Sequence, residues 1–343
     1  MIFSKLSKSY IIAEIGVNHS GSVELAKKMV LAAMNSGANA VKFQTFTAEA
    51  LVTSGTPKVK YQESTTSEDE DHFKMIKNLE FKNEDHLPVF EYCKNLGIDF
   101  ISTPYDIESA KFLHKLGVNI YKVASADIVD LPLHEFLAST MKPVIIATGM
   151  ASIGEIETVV NIYRKAGNTN ICLLHCVSNY PCSNESLNLY AMRTIADTFK
   201  LPVGFSDHSI GEIAASLSIA LGAVVIEKHF TLDKLLPGPD HKASSTPEEF
   251  ASLVSAIRLS ELILGSPYKE MQEEEMQMAL VSRKSLVASR NILKGTLISK
   301  DDLTLKRPGT GLSASRLLEL IGKKASRDIP INTLISFYDI EEE

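Results

Sequence analysis

The stretch AVVIEKHF, residues 223–230, carries the pattern on which the fold prediction depends. It begins as a short run of apolar, mostly β-branched residues, which is typical of a buried strand. It then ends in Glu227, Lys228 and His229, three consecutive ionisable side chains. A strand that only filled a core would not need charges at its C-terminal end. The stretch therefore predicts a buried strand that delivers side chains to a functional edge.

Seven other segments have the same order, with apolar residues first and polar residues last. They are YIIAEIG (10–16), AVKFQTF (40–46), DFISTPY (99–105), IYKVASAD (120–127), VIIATGM (144–150), ICLLHCVS (171–178) and PVGFSDHS (202–209). Amphipathic segments such as SIGEIETVVNIYRKAG (152–167) lie between most of them and end in the glycine that commonly follows a helix. Eight strand–helix units predict a closed parallel (β/α)₈ barrel. An open doubly wound sheet is disfavoured because no glycine-rich fingerprint follows the first strand.

The pattern changes after Gly265. We predict a barrel domain at 1–265, a charged and partly helical linker at 266–282, and a small β-rich domain at 283–343. The last domain is near the size at which folding alone is marginal. The long polar segment at 46–75 is either a mobile flap over the barrel mouth or a solvated acidic insertion.

Composition excludes several classes of protein. The formal net charge is −7, and no lysine or arginine cluster supplies the basic footprint of a nucleic-acid binder. No apolar run reaches about 18 residues, so no membrane span is expected. The chain has 4 cysteines, and their apolar neighbours indicate reduced, buried thiols in a cytoplasmic protein.

Every predicted strand turns polar at its C-terminal end, where barrel enzymes of this type build their active sites. The residues at these ends are Glu14, Asn18, Lys42, Gln44, Ser102, Thr103, Lys122, Ser125, Asp127, Thr148, His175, Ser178, Asn179, Ser206, Asp207, His208, Glu227, Lys228 and His229. Eight polar strand ends on one rim predict a pocket.

The alternation of side chains along a strand indicates which of these residues meet. His208 and His229 fall on matching faces of neighbouring strands, and two neutral imidazoles suit a divalent transition metal. Lys42 and Lys122 bring two cations to the same rim. The hydroxyls of Ser125, Thr148 and Ser206 complete a predicted site for a small phosphate or carboxylate.

Each of these residues also has an ordinary structural explanation. A single strand-end lysine is usually solvated, and a single histidine is usually a structural hydrogen-bonding group. Asp240 lies in a Gly-Pro-Asp turn, where aspartate commonly bonds its own backbone. Tyr180 could belong to the core. The prediction rests on the residues taken together.

The motifs IIAEIGVNHSGS, AVKFQTF, STPYD, YKVAS, TGMASIGEIE, LLHCVSNYP, VGFSDHS, IEKHFTLD and GPDHKAS, followed by KRPGTGLS and IGKKASRDI, resemble the sialic acid synthase (N-acetylneuraminate synthase) family. The resemblance covers nearly the whole chain in order, and the C-terminal part resembles the antifreeze-like (SAF, β-clip) domain of that family. It implies condensation of phosphoenolpyruvate with an N-acetylated amino sugar, giving a nine-carbon sialic acid and phosphate.

The resemblance also implies roles for individual residues. Phosphoenolpyruvate would be held by Lys42, Thr103, Lys122, Ser125 and Ser206, to which we add Thr148 and Ser178. The metal ligands would be His208 and His229, with Mn²⁺ expected before Mg²⁺. Residues facing the sugar would be Gln44, Tyr180 and Asp240, with Asp127 nearby and Arg307 reaching in from the partner of a domain-swapped homodimer. Catalysis would rest on Glu14, Lys42, Lys122 and His229.

This chain departs from the family pattern near the sugar. It has Ser125-Ala126-Asp127 where many relatives have Ser-Gly-Glu, and Cys182-Ser183 where Thr-Pro or Ala-Pro is usual. It also has Ala147-Thr148 where relatives often have Ser-Thr. We expect N-acetylmannosamine as the sugar, with the diacetamido sugars that lead to legionaminate or pseudaminate as alternatives.

Two other classes of function stay open at this point. One is a Schiff-base aldolase with Lys122 as the nucleophile. The other is an ice- or carbohydrate-binding C-terminal domain with the barrel as a scaffold. The eight polar strand ends disfavour the second, because a scaffold does not need them.

Overall fold

Eight parallel strands form a closed barrel in the computed structural model, which describes residues 2–53, 55–58 and 71–341. They are β1 Tyr10–Gly16, β2 Ala40–Thr45, β3 Asp99–Pro104, β4 Tyr121–Val123, β5 Val144–Ala147, β6 Ile171–His175, β7 Val203–Asp207 and β8 Ala223–His229. Each pairs with the next in sequence, and β8 pairs with β1 so that Glu14 lies opposite His229. The predicted barrel is confirmed.

Helices connect successive strands and pack outside them. They are Val23–Asn35, Ala48–Leu51, His72–Leu79, Asn83–Leu96, Ile107–Leu116, Leu131–Ser139, Ile153–Lys165, Tyr190–Phe199, Ile213–Ala220 and Pro247–Leu264. Short 3₁₀ turns lie at Phe3–Lys5, Ser125–Val129, Asn184–Ser186 and His241–Ala243. The sequence sets the helix starts: Ser152 and Glu155 form a capping box, as do Thr246 and Glu249.

Alternation along the strands separates two apolar layers. One face of each strand packs against the helices, as Ile11, Val41 and Ile146 do. The other face fills the barrel interior with Ile12, Ile101, Ile145, Leu174 and Val225, together with Phe3 from the N-terminal turn. Because this lower interior is apolar, the inward-facing polar residues are confined to the C-terminal end of the barrel.

The ends of the predicted flap pack into a small cluster of their own. Phe46 and Met75 are buried with Val17 and Leu79. Residues 54 and 59–70 of this segment lie outside the described residues, so the flap itself stays a prediction.

Among the described residues, no helix has the length and apolar character to cross a membrane. The four cysteines are buried and form no disulfide, as predicted.

The chain divides between Gly265 and Ser266 into two compact units. The second contains the 3₁₀ turns Glu273–Glu275, Lys300–Asp302, Ala314–Arg316 and Phe337–Asp339, the helices Met276–Ser282 and Leu317–Leu320, and the antiparallel pair β9 Ser285–Ala288 and β10 Leu303–Lys306. The helix of segment 266–282 is tied into this unit, because the Gly309 backbone N–H donates to the Leu280 carbonyl at 2.7 Å.

The second unit contains an internal repeat that our sequence analysis missed. ASRNILKGTLISKDDL, residues 288–303, recurs with many identities as ASRDIPINTLISFYDI, residues 325–340. Each copy ends in a 3₁₀ turn whose aspartate, Asp302 or Asp339, pairs with the arginine near the start of the same copy. The apolar residues of both copies, including Ile292, Ile298, Ile329 and Ile335, form one core.

Candidate active site

Three charged side chains meet inside the C-terminal end of the barrel. The ammonium groups of Lys42 on β2 and Lys122 on β4 each lie 3.3 Å from the same oxygen, Oε1 of Glu227 on β8. Ser206 Oγ donates to that oxygen at 3.0 Å. In an eight-stranded barrel of this kind, alternate strands fill a common layer, so β2, β4 and β8 can meet although they are far apart in sequence.

A second carboxylate extends this cluster. Glu14 Oε2 lies 3.2 Å from Lys42 Nζ, and Gln44 Nε2 donates to Glu14 Oε1 at 3.0 Å. Thr103 Oγ1 lies 3.4 Å from Lys42 Nζ. All of these groups belong to the predicted site.

The pKa values of Glu14 and Glu227 differ because their surroundings differ. Burial raises the pKa of Glu14 to about 7, although Lys42 opposes the effect. Burial would also raise the pKa of Glu227, but the ammonium groups of Lys122 and Lys42 outweigh it and hold the pKa below its ordinary value. Glu227 is therefore a permanent anion, whereas Glu14 can exchange a proton near neutral pH.

The predicted hydroxyl donors are not equivalent. Ser125 Oγ accepts from the Gly149 N–H at 3.0 Å. A Cβ atom on Gly149 would lie 2.4 Å from Ser178 Oγ and 2.8 Å from Ser125 Oγ, so only glycine lets these two hydroxyls converge. Thr148 differs, because its hydroxyl donates to the Leu174 carbonyl at 2.9 Å. Its proton is held by the backbone rather than offered to a ligand.

The two imidazoles lie side by side. The ring centroids of His208 and His229 are 5.5 Å apart, and the Tyr180 ring lies 4.1 Å from the first and 5.2 Å from the second. Burial lowers the pKa of His208 to about 4 and holds that of His229 well below its ordinary value. Both rings are therefore neutral at pH 7.

The hydrogen bonds indicate where the lone pairs are. His208 Nδ1 lies 2.7 Å from the Val177 carbonyl, which can only accept, so Nδ1 carries the proton and Nε2 the lone pair. Ser206 Oγ lies 3.3 Å from His208 Nε2, but it gives its only proton to Glu227 at the shorter distance of 3.0 Å, so the Nε2 lone pair is not used by that hydroxyl. His229 Nδ1 is buried without a hydrogen-bond partner, and Asp240 Oδ2 lies 3.8 Å from it.

These rings fit a divalent cation held by two neutral imidazoles and further oxygen donors. Within residues 2–53, 55–58 and 71–341, no group of three or more His, Cys, Asp or Glu side chains is arranged to hold a metal ion.

The residues predicted to face the sugar are divided between the units. Burial raises the pKa of Asp127 to about 7 and that of Asp240 to about 6. One oxygen of Asp127, Oδ2, is buried without a hydrogen-bond partner. Arg307 belongs to the second unit, where it is exposed.

Four polar strand-end residues do not point into the pocket, so the prediction that all of them converge is wrong. Ser102 Oγ lies 2.7 Å from Thr45 Oγ1, which in turn contacts His86 on a surrounding helix. His175 turns outward beside Phe205 and bonds the Leu187 carbonyl at 2.7 Å. Asp207 and Lys228 form a buried pair, 2.8 Å apart, on the outer wall. The reason is alternation: each occupies the face opposite to its site-facing neighbour.

Two buried polar residues, Glu227 and Asn18, have structural partners that the sequence pattern did not indicate. Glu227 was noted only as a polar strand end, yet it joins both lysines; its shared face with His229 was the available signal. Asn18 links β1 to the segment after β8, since its Nδ2 donates to the Phe230 carbonyl and to Ser244 Oγ, each at 2.9 Å. No local pattern distinguishes Asn18 from a turn residue.

The chain is similar to known proteins over nearly its whole length. The chain is 45% identical over 336 residues to the N,N'-diacetyllegionaminic acid synthase of Legionella pneumophila, covering 97% of this chain and 94% of that protein. It is 43% identical over 332 residues to the synthase of the same name from Campylobacter jejuni, covering 96% and 99%.

A solved structure is also similar. The N-acetylneuraminic acid synthetase of Leptospira borgpetersenii superposes with a TM-score of 0.70 at 36% identity, over 79% of this chain and 90% of that one. Residues 283–341 match the SAF domain, and residues 29–269 match the NeuB family. The chain is therefore a member of the NeuB family of sialic acid-type synthases.

Proposed function

We propose that this chain condenses phosphoenolpyruvate with a 2,4-diacetamido-trideoxyhexose to give phosphate and a nine-carbon acid of the legionaminate type. The observation that supports the choice of sugar is the 45% and 43% identity to two N,N'-diacetyllegionaminic acid synthases, against 36% to the N-acetylneuraminic acid synthetase. The sequence alone favours N-acetylmannosamine, whereas these relatives favour the diacetamido alternative.

The proposed phosphoenolpyruvate site is the rim around Lys42 and Lys122. Both ammonium groups are buried, with side chains 6% and 3% exposed, so their charge is little screened by water. Hydroxyls beside them, from Thr103, Ser125, Ser178 and Ser206, would bind phosphate and carboxylate oxygens. Glu227 keeps the two ammonium groups together before the ligand arrives.

The second substrate would lie against the imidazoles. His208 and His229 would hold Mn²⁺ or Mg²⁺, and when bound such an ion polarises the sugar carbonyl as a Lewis acid. Gln44, Tyr180, Asp127 and Asp240 are the residues that would contact the hydroxyl and acetamido groups. Because these contacts orient the carbonyl carbon, they determine which sugar reacts.

The residues of the chain then act in sequence. The methylene carbon of phosphoenolpyruvate bonds to the sugar's carbonyl carbon, which leaves positive charge on the carbon that bears the phosphate. Water adds there, and Glu14, with its pKa near neutrality, accepts a proton from that water and passes it to the alkoxide formed from the sugar's carbonyl oxygen. The new hydroxyl then becomes the ketone of the product as the C–O bond to phosphate breaks. Its proton leaves with the phosphate, whose charge Lys42 and Lys122 stabilise.

We propose that a homodimer completes this site, with Arg307 of one copy reaching the sugar bound by the other. Mixing an Arg307→Ala variant with a Lys122→Ala variant, each inactive alone, tests this. Restored phosphate release is expected, because mixed dimers contain one intact site. No recovery after subunit exchange would contradict the swapped arrangement.

The substrate assignment is tested by phosphate release from phosphoenolpyruvate with three sugars in parallel. These are the 2,4-diacetamido sugar, its pseudaminate-type isomer and N-acetylmannosamine. We expect kcat/KM to be at least about tenfold higher for the first, since each misplaced polar contact costs roughly 1.4 kcal/mol or more. A higher value for N-acetylmannosamine would restore the original ranking. Phosphate release with none of them would overturn the reaction class.

One observation supports a second candidate reaction, that of a Schiff-base aldolase. Burial lowers the pKa of Lys122, a property that Schiff-base lysines share. Glu227 opposes that effect and favours the charged amine. Borohydride in the presence of the keto acid product distinguishes the two reactions, because covalent trapping on Lys122 occurs only with an aldolase.

A further inference from the structure

Lys228 is a buried ammonium on the outer wall of the barrel, behind the pocket. Its side chain is 2% exposed and that of its cross-strand partner Asp207 is 0% exposed. Burying an ion pair is not in itself a source of stability, because both charges lose their water. The pair is better explained by what it holds in position.

Lys228 gathers the turn that follows β7. Its Nζ donates to Asp207 Oδ2 at 2.8 Å, to the Ser209 carbonyl, and to the Gly211 carbonyl at 3.3 Å. The other carboxylate oxygen, Asp207 Oδ1, accepts from the Ser209 N–H at 2.8 Å and from its hydroxyl at 2.6 Å. Gly211 adopts a left-handed φ of +85°, which lets the chain curl back. Residues 207–211 thus surround the ammonium group of Lys228.

His208 lies inside this turn and points the opposite way, into the pocket. Its ring is held by the Val177 carbonyl, and its own carbonyl accepts from the Cys182 N–H at 3.0 Å. The segment after β6 therefore fixes the ring, while Lys228 and Asp207 fix the backbone on either side. Without the ammonium, Asp207 Oδ2 and the carbonyls of Ser209 and Gly211 would face each other without a donor, and the turn would open.

We propose that Lys228 and Asp207 are positioning residues that fix the backbone of His208 and with it the direction of the Nε2 lone pair. This inference rests on the proposed function, in which that lone pair holds a divalent cation. The pair touches neither substrate nor cation, so its loss alters the angle and tautomer of the ring rather than the chemistry.

The test removes both charges together in the double variant Lys228→Met with Asp207→Asn, since removing one alone would strand a buried ion. Titration with Mn²⁺, with the free ion followed by electron paramagnetic resonance, measures the dissociation constant. We expect a rise of about 10- to 100-fold, the usual effect of losing a group that orients a metal ligand.

Lys142→Met is the matched control. Lys142 Nζ donates to the Val118 carbonyl at 2.6 Å, so the variant removes the same kind of contact at the other rim of the barrel. Its Mn²⁺ dissociation constant should stay within about twofold of the wild-type value. A rise equal to that of the double variant would identify general destabilisation and overturn the proposal.

A second measurement does not need the metal. Long-range ¹H–¹⁵N spectra of histidine-labelled protein report the tautomer of His208, with its signals assigned by comparison with His208→Asn. The wild-type ring should be protonated at Nδ1, and the double variant should show both tautomers. An unchanged tautomer, or an Mn²⁺ constant within twofold of wild type, contradicts the proposal.

The experiments distinguish failure of the proposed function from failure of the positioning role of Lys228 and Asp207. If the wild-type chain binds no Mn²⁺, the metal part of the proposed function fails, and the tautomer spectrum alone decides the role of the pair. If circular dichroism shows that the double variant does not fold, Lys228→Arg replaces it. A planar guanidinium cannot place one nitrogen among three oxygens, so this variant should show an intermediate rise, and no rise would overturn the proposal.

Discussion

Asp302 in the second unit and Glu227 in the barrel are both buried carboxylates, but they are held in different ways. Asp302 accepts from the Ser299 N–H at 2.8 Å and from its hydroxyl at 2.7 Å, and pairs with Arg290, whose side chain is 65% exposed. Asp339 repeats the arrangement with Ser336 and Arg327. The serine and arginine partners of each aspartate lie in the same turn or in a nearby one. Each aspartate therefore stabilises the local turn structure only.

Glu227 instead meets groups from three other strands. Lys42, Lys122 and Ser206 share one of its oxygens, while the other, Oε2, is buried without a hydrogen-bond partner. His229 Nδ1, from the same strand, is in the same condition. In the described part of the second unit, no buried side-chain nitrogen or oxygen lacks a partner. The contrast is therefore between a carboxylate that is satisfied within its own turn and a carboxylate that several strands share and whose second oxygen has no hydrogen-bond partner.

His229→Ala should have the largest effect if this contrast is correct. The variant removes one of the two imidazole ligands proposed for the cation. The cation would stabilise charge in the transition state by several kcal/mol. We expect kcat/KM to fall by roughly 10³-fold, equivalent to about 4 kcal/mol, at saturating Mn²⁺. Undiminished turnover would remove the metal role.

Glu14→Gln should have the next largest effect, a loss of roughly 10²-fold or more in kcat/KM. The Glu14 carboxyl is protonated below its pKa of about 7 and ionised above it, so the wild-type rate should fall as pH falls through about 7. The variant should lose this limb of the pH–rate profile. Asp127 has a pKa raised to a similar value, so Asp127→Asn is the control and should keep the limb.

Glu227→Gln should mainly affect stability. Glutamine cannot neutralise two buried ammonium groups, and breaking such a network costs about 3 kcal/mol. The chain has no tryptophan, so urea unfolding followed by far-ultraviolet circular dichroism is the suitable measurement. Glu108→Gln removes the exposed pair with Lys111 and should cost under about 0.5 kcal/mol. An equal loss in the free energy of unfolding for the two variants would contradict the proposed difference between convergent and local pairs.

Asp339→Asn should have the smallest effect. Its partner Arg327 is mostly exposed and asparagine can still accept from Ser336, so a loss of about 1 kcal/mol is expected. Its kcat/KM should stay within about twofold of wild type, because Asp339 serves only its own turn. A loss of activity comparable to that of Glu14→Gln would show that the second unit's turns serve catalysis.

Much of the site could be anticipated because strand order and alternation are local properties. Lys42 and Gln44, or Ser206 and His208, must share a face whenever their strands form. The outward direction of His175, Asp207 and Lys228 follows from the same alternation. The repeat in the second unit is likewise a property of the sequence, in residues 288–303 and 325–340.

The sequence by itself determined the eight strands, the polar rim, the two-part organisation and the family. Only the tertiary structure decided that Lys42 and Lys122 share one oxygen of Glu227, that the Thr148 proton is held by the backbone, and that Lys228 anchors the turn carrying His208. The physical reason is distance along the chain. Periodicity and turn chemistry act over a few residues, whereas these contacts join residues on or next to different strands that lie many positions apart in the sequence.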